Sequence, residues 1–387
     1  MRSFACGKKS LREYTHTVFV AFAVGVCLFG QQALAADHFI RADVSTFNGS
    51  DVRPGDTVTL AAGERGPLRI IDLQGTSRTP IIVRNDPNGK GPAVFRREQA
   101  DTGGFVFVCR NCEHVEIDGT GKWSGAPSGA YCGVPAGTNG CGIKVTSTRS
   151  GDSPSAYLRI SGSSKNIVIR GIEVDGQWPS VSRGGIGVSV NDHNYNRSEH
   201  AGEWRENIRI EKNFVHHVEG ECLYVGPNWE YGGSVDDLRL RNVEIAENLV
   251  TDCGWDGINV KSAIEGVNVI RHNIIRRAGR AADQSAGQHD GIAFYESGYG
   301  VIHHNLVEDS GETGITHFLH RMPESAGVMT SEIYNNVVVN SGVTGPSPGK
   351  GISVSRNKSA AQPRTEIYNN TIVDTEDDGI FVGSAVA

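Results

Sequence analysis

The 387 residues carry 37 Lys and Arg against 44 Asp and Glu, a formal net charge of −7, and include 49 glycines. No basic stripe interleaved with aromatics runs through them, and the charge has the wrong sign, which excludes nucleic acid as a partner. No amphipathic helical stretch longer than about two turns is evident beyond the N-terminus, so helices are not the building material.

The chain opens with Arg2, Lys8, Lys9 and Arg12, followed by the apolar run VFVAFAVGVCLFG and then QQALA. This is the pattern of a secretory signal over residues 1–35, cut after Ala35. The run is shorter than the ~18 residues of a membrane span. A secreted or periplasmic protein without a membrane span is therefore expected, as a monomer. Export permits disulfides among Cys109, Cys112, Cys132, Cys141, Cys222 and Cys253. Cys132 and Cys141 bracket a Gly/Pro-rich loop and are the best candidate pair. Cys109 and Cys112 form an isolated CxxC, with no second CxxC or ligand-spaced histidines to favour a metal.

Residues 36–150, from 53-RPGDTVTLAAGERGPLRIIDLQG to 113-EHVEIDGTG, alternate apolar and polar between Gly/Pro turns and read as entry coils. Regular coils follow over 151–387. Each has an Asn followed by apolar residues: Asn213, Asn248, Asn273, Asn305, Asn336 and Asn370, spaced by 25 to 35 residues. After each comes a second short strand (222-CLYV, 257-GINV, 291-GIAF, 314-GITH, 351-GISV, 379-GIFV), and before each a third (208-IRI, 243-VEI, 332-EIY). Three short strands per period, none able to bury its apolar side alone, predict an all-β solenoid whose coils stack. Stacked amides at one corner can bond one another, and Asn tolerates the left-handed backbone such a corner demands. An earlier coil, 166-NIVIRGIEVDG with 185-GIGV, fits if Ile172 takes the Asn position. The strand ending near Ala387 has no capping segment after it, so a C-terminal cap is expected to be missing.

The PGDT opening and the N-x-V…G-I-x-V repeats resemble the right-handed parallel β-helix proteins of the pectate lyase-like superfamily, from about residue 38 to the end. The resemblance implies that fold, with three short strands per coil.

Alternation along 257-GINVKS directs Ile258 and Val260 to the core, and Gly257, Asn259 and Lys261 to solvent. Aligning the coils then maps the outer face. One column before the strand reads Glu221, Asp256, Asp290, Thr313. A middle column reads Gly187, Tyr224, Asn259, Ala293, Thr316, and the last reads Ser189, Gly226, Lys261, Tyr295, Phe318. Three carboxylates in successive coils repel unless a proton, a lysine or a cation neutralises them. Oxygen-only ligands suit Ca²⁺, so Glu221, Asp256 and Asp290 are the expected calcium ligands. Trp229, Tyr231 and Trp255 are placed to stack on sugars, and Arg276, Arg277 and Arg280 to meet uronate carboxylates. His303 and His304 lie at the opposite corner, with Arg271, and read as stacked corner residues rather than ligands.

Such a patch suits β-elimination in an acidic polysaccharide. Removing the proton α to a uronate carboxylate builds charge that a cation must stabilise, and a base must take the proton. Lys261 is the expected base, and Tyr295, His289 or Arg280 the acid toward the leaving oxygen. Tyr224, Asn259, Trp229, Trp255 and Arg276 are the expected substrate contacts. The string DGINVKS also resembles the acid-x-x-x-x-Lys-Ser segment of chondroitinase B and related alginate lyases. That likeness implies a calcium-binding acid at Asp256 and a base at Lys261. Gly254 stands where that pattern has a second acid, and Tyr295 where it has an arginine. Two other readings compete: a hydrolase using paired carboxylates such as Glu221 and Asp290, and a non-catalytic carbohydrate-binding solenoid.

Overall fold

The computed structural model describes residues 34–97, 104–124, 126, 132–133, 140–147, 155–179, 185–190, 203–226, 238–282, 288–295, 299–319, 330–356 and 364–384. The expected signal segment lies almost wholly outside them. Residues 36–387 form one compact unit, in which parallel strands build three long sheets of 12, 11 and 10 strands. We call these the first sheet, beginning with Asp37–Ile40, the second, beginning with Thr46–Asn48, and the third, beginning with Gly63–Arg65. The chain visits first, third, then second. The coil around Asn273 thus runs through Val269–Arg271, Ile274–Arg276 and Ile292–Tyr295. Each strand pairs with its counterpart one coil on: Val269 with Val301, Ile274 with Leu306, Ile292 with Ile315. This is a parallel β-helix with three strands per coil.

Stacking like on like fills the interior. Ile245, Ile270, Ile302 and Ile333 line the first sheet, Val215, Val250, Ile275, Val307 and Val338 the third, and Leu223, Ile258, Ile292, Ile315 and Ile352 the second. All are essentially inaccessible to solvent and belong to one continuous cluster. Each such aliphatic side chain contributes roughly 1.5–3 kcal/mol by leaving water.

The corner from first to third sheet carries the asparagine column. Asn213 Nδ2 donates to Asn248 Oδ1, Asn248 to Asn273, Asn273 to Asn305, Asn305 to Asn336 and Asn336 to Asn370, each at 3.0 Å. Every Oδ1 also accepts the backbone N–H of the preceding column member, and Ile172 N–H bonds Asn213 Oδ1 at 3.1 Å, so Ile172 does hold the Asn place in its coil. One expectation changes. The left-handed residue is not the column Asn but its predecessor: Lys212, Glu247, His272, His304, Asn335 and Asn369 all have φ between 54° and 57°. The column Asn is selected for its amide, not its backbone.

Three disulfides are present: Cys109–Cys112, Cys132–Cys141 and Cys222–Cys253. The CxxC is thus a local staple, and the third bridge ties the end of a third-sheet strand to the start of the second-sheet strand one coil earlier.

The second sheet departs from simple alternation. Ala156–Ser161, Ile186–Val190, Leu223–Val225 and Ile258–Lys261 are buried at every position. In the first and third sheets, strands such as Ile81–Asn85 and Ala93–Arg97 keep the buried/half-buried rhythm. The expectation that Asn259 and Lys261 face open solvent is therefore corrected: they lie on the side of the strand away from Ile258 and Val260, but that side is covered. Gly257 does not point outward at all, since a Cβ there would fall 2.6 Å from both Gly291 O and Ile275 Cγ2.

Candidate active site

The corner from third to second sheet brings the acidic column together. Glu221, Asp256 and Asp290 occupy equivalent places, as the bonds Cys222 N–H to Asp256 O and Gly257 N–H to Asp290 O show (both 3.0 Å). A glycine follows each aspartate because the next coil's backbone is too close for a Cβ; at Gly291 it would lie 2.6 Å from Gly314 O. At Glu221 the following residue is Cys222, held by its bridge to Cys253.

The aspartates form a second ladder. Asp256 Oδ1 accepts the backbone N–H of Asp290, and Asp290 Oδ1 that of Thr313, each at 2.9 Å. Their other oxygens turn toward the strand: Asp290 Oδ2 accepts from the Tyr295 hydroxyl at 2.7 Å, and Asp256 Oδ2 meets the Asn259 amide at 2.6 Å.

All three carboxylates are buried, and burial controls their charge. It lifts Glu221 to about 7, against a small opposing pull from Lys261. Asp256 rises well above the usual carboxylate range through burial first, then the charges of Asp290 and Glu221. Asp290 rises to about 6, again through burial, with its bonds from Tyr295 and Thr316 working the other way. Burial and the neighbouring acids also push the Tyr295 phenol up. Asp256 Oδ2 is thus the acceptor of the Asn259 amide in a carboxyl whose proton affinity burial raises.

Lys261 ends the strand Ile258–Lys261 and is only 8% exposed. Its partner in register is Tyr295, and its ammonium lies 5.4 Å from the centroid of the Tyr224 ring. Ser262, at φ 59°, then turns the chain into the first-sheet strand Ala263–Glu265 with no intervening loop. Tyr224, Asn259, Ala293 and Thr316 share one column as expected. The earliest coil is shifted by two residues, since Ser189 and not Gly187 pairs with Tyr224. Gly187 instead contacts Cys222.

The other expected residues take several places around the corner. His289 is fully buried behind the corner, with Nδ1 4.0 Å from Glu312 Oε1 and its main chain against Gly279. Arg276 belongs to the third sheet and is paired with Glu308 at 2.5 Å. Arg277 likewise pairs with Asp252. Trp255 and Arg280 lie in the turns between third and second sheets, where Trp255 N–H bonds Gly220 O and Arg280 N–H bonds Cys253 O. Trp229 and Tyr231 lie outside the described residues. Glu312, buried beside Asp290 and His289, joins the acidic group although the sequence did not single it out.

Each oxygen of Asp256 and Asp290 already faces a protein donor or amide. Among the described residues, the groups whose ligand atoms converge within 4.8 Å are His272/His303/His304 and Asp175/His216/His217, not these carboxylates.

With this geometry in hand, residues 202–387 match the family described as right handed beta helix region. The fold is a right-handed parallel β-helix. Among solved structures it is similar to an alginate lyase from Paenibacillus sp. str. FPU-7, with a TM-score of 0.50 and 13% identity over 89% of this chain and 99% of that one. It is also similar to a GH136 lacto-N-biosidase from Eubacterium ramulus (TM-score 0.46, 14% identity, 90% of this chain and 68% of that one). Pectate lyase Pel9A aligns with a TM-score of 0.46 and 11% identity over 89% of this chain and 80% of that one. No curated protein matches the sequence.

Proposed function

We propose that this right-handed β-helix is an exported enzyme that cleaves a uronate-containing polysaccharide by β-elimination. The observation that carries this reading is the pairing of Lys261 with Tyr295 in adjacent coils, in register and beside acids whose hold on a proton is raised by burial. Three ionised carboxylates would repel a polyanion. Burial raises Glu221 to about 7 and lifts Asp256 as well, so the patch repels a uronate less than three ordinary carboxylates would. The neutral amine of Lys261 takes the proton α to the sugar carboxylate and becomes the ammonium. Tyr295, whose hydroxyl is oriented by Asp290 at 2.7 Å, protonates the leaving glycosidic oxygen. Asn259 and Tyr224, both buried, flank the lysine and hold its position. The named activity of the alginate lyase that shares the fold supports this substrate class. No step is routed through calcium.

A second reading, a glycoside hydrolase, has one observation in its favour: Glu221 at about 7 is where a general acid works best. A panel of acidic polysaccharides separates the two. Elimination leaves a conjugated double bond that absorbs in the ultraviolet, whereas hydrolysis yields reducing ends without it. A binding solenoid yields neither. Lys261→Ala should lower turnover by about a hundredfold or more, and chelator should leave it unchanged. Full elimination by the Lys261→Ala protein, or reducing ends without absorbance, would sink the lyase reading.

A further inference from the structure

Away from this site, at the corner between first and third sheets, three imidazoles converge. His272 and His304 are the left-handed residues of successive coils, at φ 54° and 55°, and so project from the same place one coil apart. His303 precedes His304 at the end of Val301–His303. Their ring centroids are 5.0 Å apart for His272 and His304, 5.8 Å for His272 and His303, and 5.0 Å for His303 and His304. One nitrogen from each lies within 4.8 Å of the others.

We propose that His272, His303 and His304 bind one divalent transition-metal ion of the zinc, nickel or copper type, clamping two adjacent coils. Imidazole nitrogens are borderline donors that suit these ions and not calcium or magnesium. Three such ligands with two rings exposed leave further coordination positions for water.

Two features set the cluster apart from a row of corner histidines. The first is a nitrogen pair: His303 Nδ1 and His304 Nδ1 are 2.7 Å apart, so without an ion one must carry the only proton between them. The second is orientation. The His303 ring is stacked on Tyr334 at 5.0 Å and 4°, and Tyr334 on Tyr368 at 4.9 Å and 3°, which fixes its plane before any ligand arrives. His304 Nε2 faces the Asn335 amide at 3.3 Å. Turned to present its oxygen, that amide accepts Nε2–H and leaves Nδ1 for the metal, the usual outer partner of a ligating histidine.

The repeat itself supplies variants that fold. The places equivalent to His272 and His304 in later coils are Asn335 and Asn369, at φ 54° in both cases, and the place equivalent to His303 is Tyr334. Calorimetric titration of the full-length chain, without a histidine tag, with Zn²⁺ and Ni²⁺ at neutral pH should show one ion bound per chain, and Ca²⁺ should show none. The His272→Asn/His304→Asn protein should keep its circular dichroism and lose binding by about a hundredfold. Asn335→Ala should weaken it by about ten- to a hundredfold through the outer partner. Zn²⁺ should raise the Tm of the parent chain and not of the double variant. The proposal is overturned by no binding to the parent chain. It is equally overturned by binding that survives His272→Asn/His304→Asn or disappears in Asp175→Asn, which would place the ion at the Asp175/His216/His217 group.

Discussion

Glu221 shows how burial sets what a residue can do. A carboxyl in the unfolded chain ionises near 4.5, whereas in the fold Glu221 is lifted to about 7 by loss of solvent. Below both values the acid is protonated in either state and contributes no difference. Between them the unfolded chain gives up its proton and the folded chain does not, so stability falls as pH rises from about 4.5 through 7. At 1.36 kcal/mol per pH unit, that is roughly 3 kcal/mol from this one residue. Glu221→Gln removes the dependence. Urea unfolding at pH 4 and pH 8 should show the variant gaining on the parent by about 3 kcal/mol at the higher pH; parallel profiles would show that Glu221 ionises freely. The same reasoning predicts that Tyr295→Phe, which removes the hydroxyl bonded to Asp290, keeps the fold but lowers turnover with little change in KM, as loss of an acid does. A raised KM at constant kcat would make Tyr295 a substrate contact instead.

At the scale of the element, the asparagine ladder is the feature most legible in the sequence and the best defined in the fold. It was legible because one residue type recurred at one corner, and because a side-chain amide can both donate to and accept from its own copy one coil away. Asn305 illustrates the cost of a break. Its oxygen takes the Asn273 backbone N–H and amide, and its amide serves Ile270 O, His303 O and Asn336 Oδ1. Asn305→Ala strands several of these in a place without solvent, at about 1–3 kcal/mol for each unsatisfied group. A loss of roughly 3–5 kcal/mol in denaturant unfolding is expected. Asn370→Ala, at the half-exposed end of the ladder, should cost distinctly less; equal losses would mean that the ladder is decorative. The Cys222–Cys253 bridge was not legible in the same way. Its partners lie 31 residues apart, on different sheets, and only the coil geometry brings the end of one strand beside the start of another.

At the scale of the whole molecule, the repeat gave the columns but not what covers them. Lys261 and Asn259 were placed on the correct side of their strand, because alternation is local. That this side is buried as well, with Asn259 inaccessible and Lys261 8% exposed, is something no period of the strands encodes. Arg276 shows the same limit: it follows the acidic column's neighbours in sequence, but its strand Ile274–Arg276 lies in the third sheet, where it pairs with Glu308. The solenoid makes one more prediction. Each coil rests only on its neighbours, so protection from exchange should follow how many neighbours cover it rather than distance from any single core. Ile275 is wholly enclosed between coils, whereas Ile380 is 51% and Val382 73% exposed. Amide hydrogen exchange on the full chain should therefore be slowest through Ile258–Lys261 and Ile274–Arg276 and fall off toward Ile380–Ser384. Ile275→Ala should cost about 2–5 kcal/mol, while Ile380→Ala should cost well under half as much, since its side chain has little cavity to leave. Uniform protection along the axis, or equal losses at the two positions, would mean that the coils unfold as one unit and that the nearest-neighbour description fails for this chain.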